Sequence, residues 1–276
     1  MDSEGRDTAL VLSGGGSKGA LQAGLYRALC EVGWEPDFIV GTSVGALNGA
    51  FIAAGVGPKS LARGWAELSR GDLFAVDWSV LWRGLGVSSV FSGAHFTDFL
   101  EEQLPVSRFE DLKTPLHVVS THLSLGEACR LSDGDLVQAV RASCSIPGLL
   151  PPARLHGDVP HVDGSLGDNL PIALARQLGA ERVVAMNCRT CDRCSPGRMG
   201  LPEALGRAFS IAADCTLRRM ADRYRDDPSV LLLQPDIGEH VYALDFSHGR
   251  RLVEAGYEWA RPRLEAWLAA GGARPA

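Results

Sequence analysis

Three clusters of small and polar residues carry chemistry in this sequence. The first is Gly41-Thr42-Ser43-Val44-Gly45, a G-x-S-x-G pattern between the apolar run Asp37-Phe38-Ile39-Val40 and a small-residue segment from Ala46 to Ala54. A serine held on a sharp strand-to-helix turn becomes an exposed nucleophile. Side chains two residues to either side would collide with it, so the chemistry needs glycine at those places. The second is Gly14-Gly15-Gly16-Ser17-Lys18-Gly19, directly after the apolar run Thr8–Ser13. Consecutive glycines let backbone N–H groups face outward together toward a developing oxyanion. The third is Asp163-Gly164-Ser165. An Asp-Gly pair at a strand end is most often a plain turn, but a buried aspartate hydrogen-bonded to Ser43 would serve as its general base. Spacing alone leaves both readings of Asp163 open.

Each cluster has a rival explanation. The serine pattern recurs by chance as an idle residue in a glycine-rich loop. Gly14, Gly16 and Gly19 also fit the dinucleotide fingerprint G-x-G-x-x-G, which asks for an acid at the end of the second strand. Here that end is the serine turn, and Asp37 falls at the strand's beginning. No G-K-[ST] closes the loop as a phosphate loop would require. An oxyanion hole beside a nucleophile explains both glycine motifs together. Lys18, one of three lysines with Lys59 and Lys113, reads equally as an anchor for a substrate phosphate, a brace for the glycine loop, or a solvated residue in a first helical turn.

The elements that would position these groups follow from the apolar spacing. Thr8–Ser13 and the run ending at Val40 read as strands buried on both faces, with a helix carrying Leu21, Leu25 and Leu29 between them. Strand, helix, strand, helix over the first 55 residues predicts an α/β fold with a mainly parallel sheet flanked by helices. Residues 56–113 read as a mostly helical insertion rich in aromatics, including Trp65, Phe74, Trp78 and Trp82; it is either ordinary packing or a mobile apolar flap suited to acyl chains. Leu116–Thr121 is a further strand turning through Gly126 into a hairpin, and Asp133 is placed to cap a helix from Leu136 to Ala142. A second short hairpin around Gly157-Asp158 delivers Asp163. Later come a strand at Arg182–Asn187, a helix over 201–224, a strand at Val230–Leu233, and a final helix from Ser247 to Ala270 bent at Pro262.

The order Gly14–Gly19, Gly41–Gly45 and Asp163–Ser165 with Asn169 and Pro171 resembles the patatin-like phospholipase family, as does the segment from Ala142-Ser143 to Pro151-Pro152. The resemblance covers about residues 8–190. It implies a three-layer sandwich and an acyl hydrolase with Ser43 as nucleophile and Asp163 as base. It also implies an oxyanion hole from Gly14, Gly15 and Gly16, no histidine in the relay, and no metal or other cofactor. Ser165 stands where that family usually has glycine or alanine. The expected substrate is a lipid or lysolipid acyl ester, met in transient contact with a membrane surface. Residues 1–276 are expected to form one domain, with 191–276 as a helical extension of it.

Other classes are weighed against this. A Ser–Asp–His triad of the α/β-hydrolase type finds histidines in the right chain order at His240 and His248, and a non-catalytic lipid- or nucleotide-binding module is the third class. A net charge of −6 without a basic run argues against nucleic acid as partner. The uncharged stretch from Phe38 to Pro58, with Gly41, Gly45 and Gly49, fits a membrane span less well than a helix buried on a sheet. Seven cysteines and an acidic start without a basic-then-apolar order suggest a cytoplasmic protein with reduced thiols. Cys188, Cys191 and Cys194 lack an adjacent fourth ligand for structural zinc and read as surface-loop thiols.

Overall fold

The apolar strands alternate their side chains between two cores. Leu10, Leu12, Ile39, Val118 and Val184 point into one, and Ala9, Val11, Phe38, Val40, Val119 and Val183 into the other. A strand buried on both faces has no polar side to show, which is why these segments read as continuous apolar runs. The computed structural model describes residues 7–77, 89–155, 157–188, 200–237 and 241–272. Its sheet is built from β1 (Thr8–Leu12), β2 (Phe38–Thr42), β3 (Leu116–His122), β4 (Glu127–Leu131), β5 (Ala153–Leu155), β6 (Val159–Asp163), β7 (Arg182–Met186) and β8 (Val230–Leu233). Helices α1 (Ala20–Glu31), α2 (Val44–Ala53), α3 (Pro58–Glu67) and α9 (Gly249–Trp267) cover the first face, and α7 (Ile172–Gln177) and α8 (Leu201–Tyr224) the second. The result is a three-layer α/β sandwich.

The strand order is β5-β6-β3-β2-β1-β7-β8, with β4 on the other edge of β3. From β3 through β8 the neighbours on this path run parallel, whereas β4, β5 and β6 pair antiparallel. Two registers position the site. Leu12 pairs with Gly41, so the loops leaving β1 and β2 emerge side by side. Thr42 pairs with Val119, and the next residue of β3, Ser120, pairs with Asp163. Residues 120–122 already use their other edge for β4, so β6 takes over the edge of β3 where β2 leaves it. Asp163 is thereby delivered to the point at which Ser43 departs.

Phe38 to Pro58 is accordingly strand, turn and the ten-residue helix α2, and no helix among the described residues is long and apolar enough to cross a membrane. A Cβ added at Gly45 would collide with the Leu12 carbonyl oxygen, and one at Gly49 would sit 3.0 Å from Leu116 Cδ1; the glycine repeat serves close packing on the sheet. The last helix uses the same device. A Cβ at Gly24 in α1 or Gly256 in α9 would strike the backbone of the other helix.

The region 56–113 contains α3, a single turn α4 (Arg70–Leu73) and α5 (Gly93–Gln103). Trp65, Phe91 and Phe96 are buried in the first core, so its described aromatics are packed; Trp78 and Trp82 lie outside the described residues. Helix α6 (Leu136–Ser143) is capped by Asp135, whose side chain accepts from the Gln138 amide, and not by Asp133. The cap must adjoin the first helical residue, and Gly134 at φ 76° separates Asp133 from it. Pro262 stands inside α9; the non-helical residue at that end of the chain is Gly271, at φ 83°.

Candidate active site

Ser43 occupies the N-cap position of α2 but does not cap it. Its φ is 53° and ψ −124°, a conformation costing a non-glycine residue on the order of 1–3 kcal/mol. The strain is held by the surroundings. A Cβ at Gly41 would collide with the Gly45 carbonyl oxygen, and the Ser43 amide donates to Ser143 Oγ at 2.7 Å. Ser143 Oγ in turn donates to the Val119 carbonyl at 2.6 Å, tying the turn to β3. The Ser43 hydroxyl is then free to donate to Asp163 Oδ2, at 2.7 Å.

Asp163 ends β6 and is 1% exposed. Its Oδ1 accepts the Ser165 amide at 2.9 Å and its backbone carbonyl accepts Thr121 Oγ1 at 2.9 Å. The Asp-Gly pair is therefore both a turn and an orienting device: the amide of the turn fixes one carboxylate oxygen and leaves the other to Ser43.

The glycine loop lies against this pair. A Cβ built on Gly14 would fall 3.1 Å from Ser43 Cβ and 2.7 Å from Asn169 Oδ1. The Gly14 amide donates to Asn169 Oδ1 at 2.9 Å. This narrows the expected oxyanion hole, because one of its three glycines spends its N–H on a side chain. Gly15 is extended, at φ 171°. Gly16 adopts φ 61°, open to glycine at little cost, under the backbone of Ala243. The Ser17 amide donates to the Ala243 carbonyl at 2.8 Å, and Ser17 Oγ to that of Tyr242. A Cβ built on Gly14 would also collide with Ser165 Oγ, so glycine at position 14 and a small residue at position 165 fit each other.

Beside Ser43 opens an apolar pocket of about 50 Å³, whose lining includes Leu47, Trp65, Phe74, Cys144 and Phe246. Trp65 and Phe246 stack at 6.2 Å between ring centroids, and Phe74 leans on Phe246 at 6.5 Å. A strained serine, a buried carboxylate and a turn of bare backbone thus meet at the mouth of an apolar pocket.

Residues 10–176 match the family model described as patatin-like phospholipase. This chain belongs to that family. It is 28% identical to patatin-like phospholipase domain-containing protein 7 of Rattus norvegicus over 97% of its own length and 21% of the relative's. It is 28% identical to lysophospholipase nte1 of Aspergillus terreus, over 95% and 18%. An uncharacterised NTE family protein of Mycobacterium tuberculosis is 30% identical, over 95% and 47%. The chain thus spans less than half of each of these relatives. Among solved structures, VipD of Legionella pneumophila superposes with a TM-score of 0.58 at 15% identity, over 95% of this chain and 67% of the other, a likeness of fold.

Within this patatin-like site, Lys18 is not a solvated residue. It is 4% exposed, and its charge acts on Cys188, opposing the burial that pushes that thiol up to about 12. Cys188 is itself buried, its amide donating to Ser13 Oγ at 2.9 Å; the surface-loop expectation fails for it because it continues β7 into the core. Cys191 and Cys194 lie outside the described residues, among which no cluster of metal ligands is found. His240 also falls outside them, while His248 is half-exposed and pairs with Asp245 at 3.4 Å. No histidine is among the described residues lining the pocket beside Ser43.

Two further residues touch Ser43 without a local sequence signal of their own. Ser143 was visible only as part of the segment leading to Pro151-Pro152, and nothing local marks it as the anchor of the Ser43 amide. Cys144 follows it and places its thiol against Ser43. Burial drives that thiol well above its ordinary range, the Asp163 charge adds to the effect, and the hydrogen bond with Ser43 opposes it.

Proposed function

We propose that this chain is a serine acyl-ester hydrolase of the phospholipase A or lysophospholipase type, working through a Ser43–Asp163 dyad. The observation that carries the reading is the 2.7 Å hydrogen bond from Ser43 Oγ to Asp163 Oδ2 beside a glycine loop and an apolar pocket. Ser43 Oγ attacks the ester carbonyl carbon as its proton passes to Asp163. The carbonyl oxygen, now anionic, is received by the Gly15 and Gly16 amides. Collapse breaks the bond to the alcohol, which leaves with the proton from Asp163. Asp163 then takes a proton from water, the hydroxide attacks acyl-Ser43, and the fatty acid departs as Ser43 regains its proton. Lys18 braces the glycine loop from within.

The lipid class of the substrate is supported by the family and by the relatives' names, and by the apolar lining of the pocket. Contact with a lipid surface would fall near Tyr242, which is 71% exposed next to the segment that covers the glycine loop.

The test is a panel of phospholipids, lysophospholipids and p-nitrophenyl esters on wild type beside Ser43→Ala and Asp163→Asn. Both variants should lose about 10⁴-fold in kcat. Turnover retained by Asp163→Asn removes the dyad; loss on replacing His240 or His248 favours a triad instead.

A further inference from the structure

The pocket beside Ser43 is too small for a long acyl chain. Its volume of about 50 Å³ is room for a few waters. A second, larger cavity of about 250 Å³ adjoins it, lined largely by apolar side chains from α2, α3, α5 and the α2–α3 connection, among them Phe51, Val56, Leu61 and Phe99. Leu47 and Trp65 line both spaces. They are the wall between them.

The two halves of that wall are held differently. Trp65 Nε1 donates to Asn48 Oδ1 at 2.8 Å. Asn48 Nδ2 in turn donates to Gln22 Oε1 at 2.7 Å and to the Gly19 carbonyl at 2.9 Å, and Gln22 Nε2 donates to the Ser13 carbonyl at 2.8 Å. Moving Trp65 would strand buried polar groups, each at a cost of its full desolvation. Leu47 has no polar anchor. It lies one helical turn after Ser43 and is retained by packing alone, so a change of rotamer is the cheapest way to join the two spaces.

We propose that the cavity behind Leu47 and Trp65 is the subsite for the distal methylenes of a long acyl chain, with Leu47 turning aside as the chain enters and Trp65 as the fixed side of the opening. This rests on the hydrolase reading above. It assigns that site a preference for long-chain esters and makes Leu47 the residue that sets access.

Gly64 provides the test, because it lines only the rear cavity and a Cβ added there meets nothing within 4 Å. Gly64→Trp sets an indole at the exposed rim of the cavity and should, by occupying it, lower the ratio of kcat/KM for p-nitrophenyl palmitate to that for p-nitrophenyl butyrate at least ~10-fold, as the loss of a few buried methylenes requires. Leu47→Ala should raise the same ratio, and Gly64→Trp added to it should cancel the gain. Lys59→Trp, an equally bulky change at an exposed position of α3 outside the cavity, should leave the ratio unmoved. A palmitate-to-butyrate ratio unchanged by Gly64→Trp, or shifted as much by Lys59→Trp, overturns the proposal. Absence of Ser43-dependent turnover on both esters would instead remove the hydrolase reading beneath it, and it reads differently: both rates vanish together while a failed subsite leaves them intact.

Discussion

The two sides of the site are built on different physics. On the polar side, Ser43, Asp163, Ser143, Asn169 and the Gly14 amide are fixed atom by atom, through hydrogen bonds of 2.6–2.9 Å and backbone approaches that exclude even a methyl group. On the apolar side, Leu73 and Phe74, Phe96, Leu150 and Phe246 come from four segments of the chain and are held by packing. Packing tolerates an exchange of similar volume, whereas a buried hydrogen bond does not tolerate loss of one partner. The polar side should therefore fail sharply under small changes, and the apolar side should change its preferences before it fails.

The most severe single change on the polar side is Gly45→Ala. The added methyl group would meet the Leu12 carbonyl oxygen, and backbone cannot yield as a side chain can. We expect a loss of about 3 kcal/mol or more in stability, read by urea denaturation, together with loss of esterase activity. A soluble, fully stable alanine variant would show that the turn is looser than its geometry.

Ser143→Ala should come next. It leaves the Ser43 amide and the Val119 carbonyl without their shared partner, at a cost of about 1–3 kcal/mol. Because the unpinned group is the backbone of the proposed nucleophile, kcat should fall about 10- to 100-fold with KM nearly unchanged. An equal effect on KM would mean that Ser143 supports the pocket more than the serine.

Asp168 sharpens the contrast through pH. Its backbone carbonyl accepts Thr42 Oγ1 at 2.9 Å, and burial pushes its carboxyl up to about 6. A carboxyl raised in the fold favours the protonated form. It therefore adds stability in full below about pH 4, the unfolded value, and that stability is lost as pH rises through about 6. Asp168→Asn keeps an acceptor for the Leu170 amide, which now bonds Oδ1 at 3.2 Å. It should be more stable than wild type by up to ~2 kcal/mol at pH 8, with the advantage gone at pH 4, as thermal melts across that range will report.

The smallest effect is expected on the apolar side. Phe74→Leu should cost less than about 1.5 kcal/mol and change kcat/KM among acyl esters without lowering kcat on all of them. A uniform collapse of kcat would erase the distinction between the two sides.

The same contrast decides what was legible beforehand. Gly41, Ser43, Gly45 and the Asp163-Gly164 turn stand in short local patterns, because backbone geometry within five residues dictates them. The strands β1, β2, β3 and β7 were legible for a related reason: burial on both faces favours runs of apolar residues, as in Ala9–Leu12, Phe38–Val40, Val118-Val119 and Val183–Met186. The Ser43–Asp163 encounter was not derivable from spacing, since it depends on β6 taking over the edge of β3 that β2 leaves. Nor was the Gly14–Asn169 bond, which joins positions 155 residues apart and removes one amide from the expected oxyanion hole. Leu47, Trp65 and Phe246 look like any core residues until tertiary contact brings them to one wall. Asp135 replaced Asp133 as the cap of α6 because two candidate caps flank one glycine, and only the helix boundary chooses between them.

The central claim is that a carboxylate, without imidazole, activates Ser43 for attack. The most direct measurement is rapid-quench intact mass of wild type and Asp163→Asn mixed with p-nitrophenyl butyrate, beside the p-nitrophenol burst. We predict a butyryl adduct on Ser43 forming with the burst in wild type, and neither adduct nor burst in Asp163→Asn while its fold is retained. An adduct that forms at the wild-type rate in Asp163→Asn would contradict the account.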